Sequence, residues 1–114
     1  MSRRRRREVY PPGYVPKRRR KYEKRNMWRR TVNVNGIVIR NIYYSLRVTA
    51  YAWRKDRLPS FDELREIAMK EIERFTGYSR EKWWFGYEIG EEEARIPYDP
   101  LKDGEIEVQW EEEE

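Results

Sequence analysis

The sequence predicts an α+β fold: a mostly antiparallel sheet in the order β-β-β-α-β-β, with one amphipathic helix packed on it. Three observations point there. Apolar and polar residues alternate from Thr31 to Trp53, the spacing changes to helical after Ser60, and alternation returns near Lys82 and again at Glu105. No internal repeat is visible, and the roughly 80 residues of this body suffice for one modest core.

The first expected element is a hairpin. Thr31-Val32-Asn33-Val34 and Ile37-Val38-Ile39-Arg40 flank Asn35-Gly36. Asn-Gly tolerates positive φ at both central positions of a type I′ turn, so Val34 is expected to face Ile37 and Val32 to face Ile39. Ile42 to Trp53 then reads as a longer third strand. Its apolar row is even-numbered (Ile42, Tyr44, Leu46, Val48, Ala50, Ala52), whereas Ile37 and Ile39 are odd. The change of parity requires a turn or bulge near Arg40-Asn41.

Ser60 followed by Glu63 forms a capping box, and Asp62 and Glu63 suit the positive end of a helix dipole. Phe61, Leu64, Ile67, Ala68, Ile72 and Phe75 recur at helical spacing, and Gly77 is placed to stop the helix. Beyond it, Lys82 to Ile89 alternates with Trp83, Phe85, Tyr87 and Ile89 on one face. Glu105 to Trp110 does so with Ile106, Val108 and Trp110 inward. Gly90 to Gly104, with Pro97, Asp99-Pro100 and Asp103-Gly104, reads as irregular, with a short edge strand at Ala94 to Ile96.

Charge divides the chain by position. Residues 1–30 hold 14 basic and 2 acidic residues, net +12, and the rest holds 12 basic and 19 acidic residues, net −7. The leader is poor in aliphatic residues and is interrupted by Pro11, Pro12, Gly13 and Pro16. Such a segment cannot bury enough apolar area to offset its ordering entropy, so on its own it is expected to be disordered or extended. The expected organisation is a basic arm over 1–29, a small α+β domain over 30–110 and an acidic tail over 111–114.

Composition excludes several functions. There is no cysteine and no histidine. This removes disulfides, thiolate chemistry, the commonest general base and the commonest transition-metal ligand. The glutamate runs Glu91-Glu92-Glu93 and Glu111 to Glu114 carry no rigid ligand spacing, so no metal and no cofactor are expected, and no enzyme signature is present. No apolar run approaches the ~20 residues of a membrane span, which points to a soluble intracellular protein without a membrane partner. High charge with a single glutamine, Gln109, matches proteins built for heat, such as those of hyperthermophilic archaea and their viruses.

The arm carries the functional expectation. Arg3, Arg4, Arg5, Arg6 and Arg7, then Lys17, Arg18, Arg19, Arg20 and Lys21, then Lys24, Arg25, Arg29 and Arg30 are the residues expected to contact phosphate. Tyr10, Tyr14, Tyr22 and Trp28 are interleaved with them, and arginine suits both bidentate phosphate contact and stacking. Tyr43, Arg47, Tyr51 and Trp53 share the odd row of the third strand, opposite its aliphatic row, as a base-stacking platform would. Trp84, next to Trp83, must point away from its neighbour's face. The reading is a nucleic-acid-binding structural or accessory protein, RNA or DNA, ribosome-associated or virion-associated, with little sequence preference. The alternative is a protein–protein adaptor or assembly protein, a homo-oligomer included, whose arm pairs with acidic surface on a partner.

Overall fold

In the computed structural model, residues 25–82 and 88–113 are described. The arm residues 1–24, the aromatic segment 83–87 that carries Trp83, Trp84, Phe85 and Tyr87, and Glu114 lie outside them, so the expectations placed there concern residues beyond this description.

The described chain is an α+β unit. Strand β1 (Asn26–Ile39) and strand β2 (Ile42–Ala52) precede helix α1 (Phe61–Thr76), and strands β3 (Glu88–Pro97) and β4 (Ile106–Glu112) follow it. The sheet order is β3-β1-β2-β4 and every neighbouring pair is antiparallel. The expected class is what forms, a mostly antiparallel sheet with one helix packed on one face.

One detail differs, at the first hairpin. Asn35-Gly36 is not a turn. The chain runs on through it, so the two strands expected at 31–34 and 37–40 are one strand. Val34 pairs with Leu46 and Ile37 with Tyr44, so three residues of β1 advance against two of β2, which is a bulge. Gly36 supplies the positive φ of 76° that the bulge needs. A bulge and a two-residue turn both return Val34 and Ile37 to the same face, so the parity pattern cannot separate them. Pairing decides: by continuing, β1 gains ten partners along β2 and a second ladder with β3. The reversal falls at Arg40-Asn41, where a change of direction or bulge was expected; both residues take positive φ, 53° and 68°, and Ile39 pairs with Ile42.

Helix α1 forms as its sequence requires. The Ser60 hydroxyl accepts from the Glu63 amide at 3.1 Å, the Glu63 carboxylate accepts from the Ser60 amide at 2.8 Å, and Gly77 ends the helix in the left-handed region. Leu64, Ala68, Met69 and Ile72 point at the sheet and are buried against Val32, Val34, Ile37, Leu46, Val48 and Ala50. Each fully buried Leu or Ile contributes about 1.5–3 kcal/mol, which outweighs the capping terms. Beside this core Tyr44, Phe75 and Trp110 form an aromatic cluster, with Phe75 stacked on Trp110 at 4.4 Å between centroids.

The segment after the helix departs further from expectation. Glu88–Pro97 is one ten-residue strand; the short edge strand expected at Ala94 to Ile96 lies in its second half, and the irregular stretch expected from Gly90 is also strand as far as Pro97. Its register on β1 puts Ile89, Glu91, Glu93 and Arg95 on the helix side and Gly90, Glu92 and Ala94 on the other. As an edge strand it is held by backbone bonds to β1 and needs no apolar row, and three successive glutamates discourage pairing with another edge. Strand β4 behaves as expected, with Ile106, Val108 and Trp110 on the helix side opposite Ala50, Val48 and Leu46. Ile106 and Val108 stay partly exposed because α1 lies over the two central strands. The ladder continues past Glu112, where the Glu113 amide donates to the Tyr43 carbonyl at 2.8 Å.

Candidate functional site

The sheet face opposite α1 carries no helix among the described residues, and the strand registers arrange its side chains as a grid. Reading across β3, β1, β2 and β4, one row is Glu92, Thr31, Thr49 and Glu107, and the next is Gly90, Asn33, Arg47 and Gln109. Above them Arg29 is paired with Tyr51, and below them Asn35 is paired with Glu88. These rows line a polar trough of about 470 Å³. The floor is the buried pair Thr31 and Thr49, whose hydroxyls bond at 3.1 Å; Gly90 leaves the β3 side open, with nothing within 4 Å of where a Cβ would stand.

Arg47 sits at the centre and is held from both sides. Its Nε donates to Asn33 Oδ1 at 3.4 Å and its Nη1 to Gln109 Oε1 at 3.2 Å. A guanidinium has five N–H donors, so the outer fork of Nη1 and Nη2 keeps donors for a further acceptor. One row up, Glu107 accepts from the Tyr51 hydroxyl at 3.3 Å and is bonded to Lys102, whose ammonium also lies 4.8 Å from the Tyr51 ring centre. Burial, followed by the Glu107 charge, pushes the Tyr51 phenol above its ordinary value; the hydrogen bond to Glu107 raises the Lys102 ammonium likewise. Across the trough Arg29 approaches Glu92 only at 3.8 Å, and its buried Nε has no hydrogen-bond partner among the described residues. Such a donor beside a cavity is an unmet demand for an acceptor.

The structure distributes the residues singled out in sequence. Arg47, Tyr51 and Arg29 meet in the trough. Tyr43 belongs to the same strand row but lies outside the trough and is well exposed, and Trp53 follows the end of β2, with the Arg25 guanidinium 4.8 Å from its ring centre. Arg30 turns to the helix side: it donates to the Pro59 carbonyl at 2.8 Å, pairs with Glu93 at 3.1 Å and stacks over Phe61. Trp28 is on that side too, with Lys55 and Arg95 over its ring. Arg3 to Arg7, Lys17 to Lys21, Lys24 and Trp84 lie outside the described residues.

Sequence reading missed Thr31, Asn33, Thr49, Glu107 and Gln109. Their signal was present, since each holds the polar position of an alternating strand. Only the pairing of four strands turns those separate rows into one surface.

Among the described residues no helix is long and apolar enough to cross a membrane. Compared with protein-family models, with curated proteins and with solved structures, the chain matches none of them.

Proposed function

We propose that this protein binds nucleic acid, contacting the phosphate backbone through its arginine-rich N-terminal arm and laying the strand over the helix-free face of the sheet. The observation that carries the reading is the net +12 of residues 1–30, which leads directly into β1 beside the polar trough. A cationic segment of this density gains most from a polyanion, where each neutralised phosphate releases counterions. The placement of Arg29, Arg47, Tyr51 and Tyr43 on one side of the sheet supports it: guanidinium groups for phosphate, rings for unpaired bases. Arginine rather than lysine in the trough suits planar, bidentate contact. The role follows as structural or accessory, in an RNP or a packaged genome, with backbone contacts outweighing base reading.

The test is a salt titration of binding to a labelled single strand. With roughly 6–10 phosphates neutralised, affinity falls ~10³–10⁵-fold between about 50 and 200 mM salt, and deletion of residues 1–24 removes most of that slope. A flat salt dependence, or binding unchanged by the deletion, ends the proposal. The acidic strand edges, Glu88 and Glu91 to Glu93 on β3 and Glu111 to Glu113 at the end of β4, favour the second reading, an assembly protein whose arm pairs with the body of another copy. Salt-sensitive self-association of nucleic-acid-free protein, read by light scattering, distinguishes it.

A further inference from the structure

Next to each other on β2 and β4 stand two pairs of opposite chemistry. Arg47 pairs with Gln109, and two residues along, Thr49 pairs with Glu107. The first pair is a donor. The amide oxygens of Asn33 and Gln109 accept from Arg47 Nε and Nη1, which leaves the second N–H of Nη1 and both of Nη2 as donors for a further acceptor. The second pair is an acceptor. The Glu107 carboxylate is charge-compensated by Lys102 and oriented by Tyr51, which together leave about half of its roughly four lone-pair positions unused. The pairs are separated by two residues of a strand, roughly 6.6 Å. A ligand that matches them has an oxyanion at one end and a hydroxyl donor a few ångströms away. Two cations, Arg29 and Arg47, line the trough with two carboxylates, Glu92 and Glu107; Lys102 neutralises Glu107 from beside it, so the Arg47 end, flanked by the amides of Asn33 and Gln109, is the end that takes an anion.

We infer that the trough holds one ribonucleotide unit of a bound RNA strand, with its phosphate on the Arg47 fork and its ribose 2′-hydroxyl donating to Glu107. The inference rests on the nucleic-acid reading above and adds to it the choice of RNA over DNA. Phosphate contacts alone cannot make that choice, because both polymers present the same oxyanions; the 2′-hydroxyl is the group that differs. A carboxylate is selective there, since it accepts from a hydroxyl and offers a deoxyribose nothing. Thr31 and Thr49 close the trough from below, and the side chain missing at Gly90 leaves a way in from the β3 edge.

The test varies the ligand first, so that it does not depend on a variant folding. The full chain is titrated by fluorescence anisotropy with labelled oligouridylate, its 2′-deoxy counterpart and its 2′-fluoro counterpart, at about 0.15 M salt. The 2′-fluoro strand keeps a ribose-like sugar pucker and lacks the donor. Oligouridylate is expected to bind roughly three- to tenfold tighter than both others, the worth of one net hydrogen bond. In Gln109→Glu, which sets a carboxylate against the Arg47 fork, that ratio is expected to fall toward one while the arm's salt-dependent binding persists. Equal affinity for the three strands, or an unchanged ratio in a folded Gln109→Glu, overturns the trough assignment and leaves nucleic-acid binding standing. Absence of binding to all three overturns both.

Discussion

Strand β2 shows two surfaces built from one run of residues. Its even row, Leu46, Val48, Ala50 and Ala52, is buried under α1 and surrounded by carbon. Its odd row, with Arg47, Thr49 and Tyr51, forms a polar trough in which side chains bond to each other across strands. The first row is fixed by burial, which is non-directional and accepts any side chain of suitable volume. The second is fixed by donors and acceptors whose partners come from β1 and β4, and it leaves some of them open. One face of the sheet thus carries the burial that stabilises the fold, and the other carries polar groups with donors and acceptors to spare.

That division makes its own predictions. The largest effect belongs to the apolar side: Ile72→Ala, at a site with no exposure, is expected to cost about 2–5 kcal/mol in denaturant unfolding. Asn33→Ala on the trough side is expected to cost within about 0.5 kcal/mol, and comparable losses from the two would break the contrast.

The bulge that keeps each row on its own face ranks next. Gly36→Ala forces a Cβ onto a positive φ and is expected to destabilise by about 1–2 kcal/mol, whereas exposed Arg40, already strained at φ 53°, is expected to gain stability as Arg40→Gly by up to about 1 kcal/mol. If Gly36→Ala is neutral, the chain does not need the bulge and the registers of both rows are open to revision.

The smallest effect concerns the ionic group that shares the helix side. Burial pushes the Glu93 carboxyl up, but hydrogen bonds from Arg30 and Lys55 outweigh it and hold the group below its ordinary value. A depressed carboxylate contributes stability above its unfolded pKa and loses it as pH falls through the folded one. The stability gap between wild type and Glu93→Gln is therefore expected to narrow from about pH 5 to about pH 3, as read by thermal unfolding across that range. A gap that stays constant with pH sinks the assignment of that network.

The comparison also explains what could be read in advance. The helix was fully legible, because a capping box, a 3.6-residue period and a terminal glycine are local signals that agree. The apolar rows of β2 and β4 were legible for the same reason. The turn at Asn35-Gly36 was misplaced because bulge and turn leave the same mark on a single strand, and the larger number of partners available to a continuous β1 settled the matter. Strand β3 was half visible: the edge strand expected at Ala94 to Ile96 lies within it, but its glutamate-rich first half has no apolar period to display. Of the candidate site, Arg47 and Tyr51 were visible as a strand's polar row. Gln109 and Glu107 were not, since they come from a strand some sixty residues away in the chain.

By itself, the sequence determined the class of fold, the helix and its ends, the division into a cationic leader and an anionic body, and the chemistry that cysteine and histidine would have brought and do not. Each of these is a sum over neighbours in the chain or over composition. Tertiary structure alone decided that β1 runs straight through Asn35-Gly36, that Glu88–Pro97 is one strand paired to β1, and that Asn33, Arg47, Gln109 and Glu107 meet over one trough. The reason is physical: strand pairing is a contest among distant segments for hydrogen bonds and burial, and no single segment carries the result.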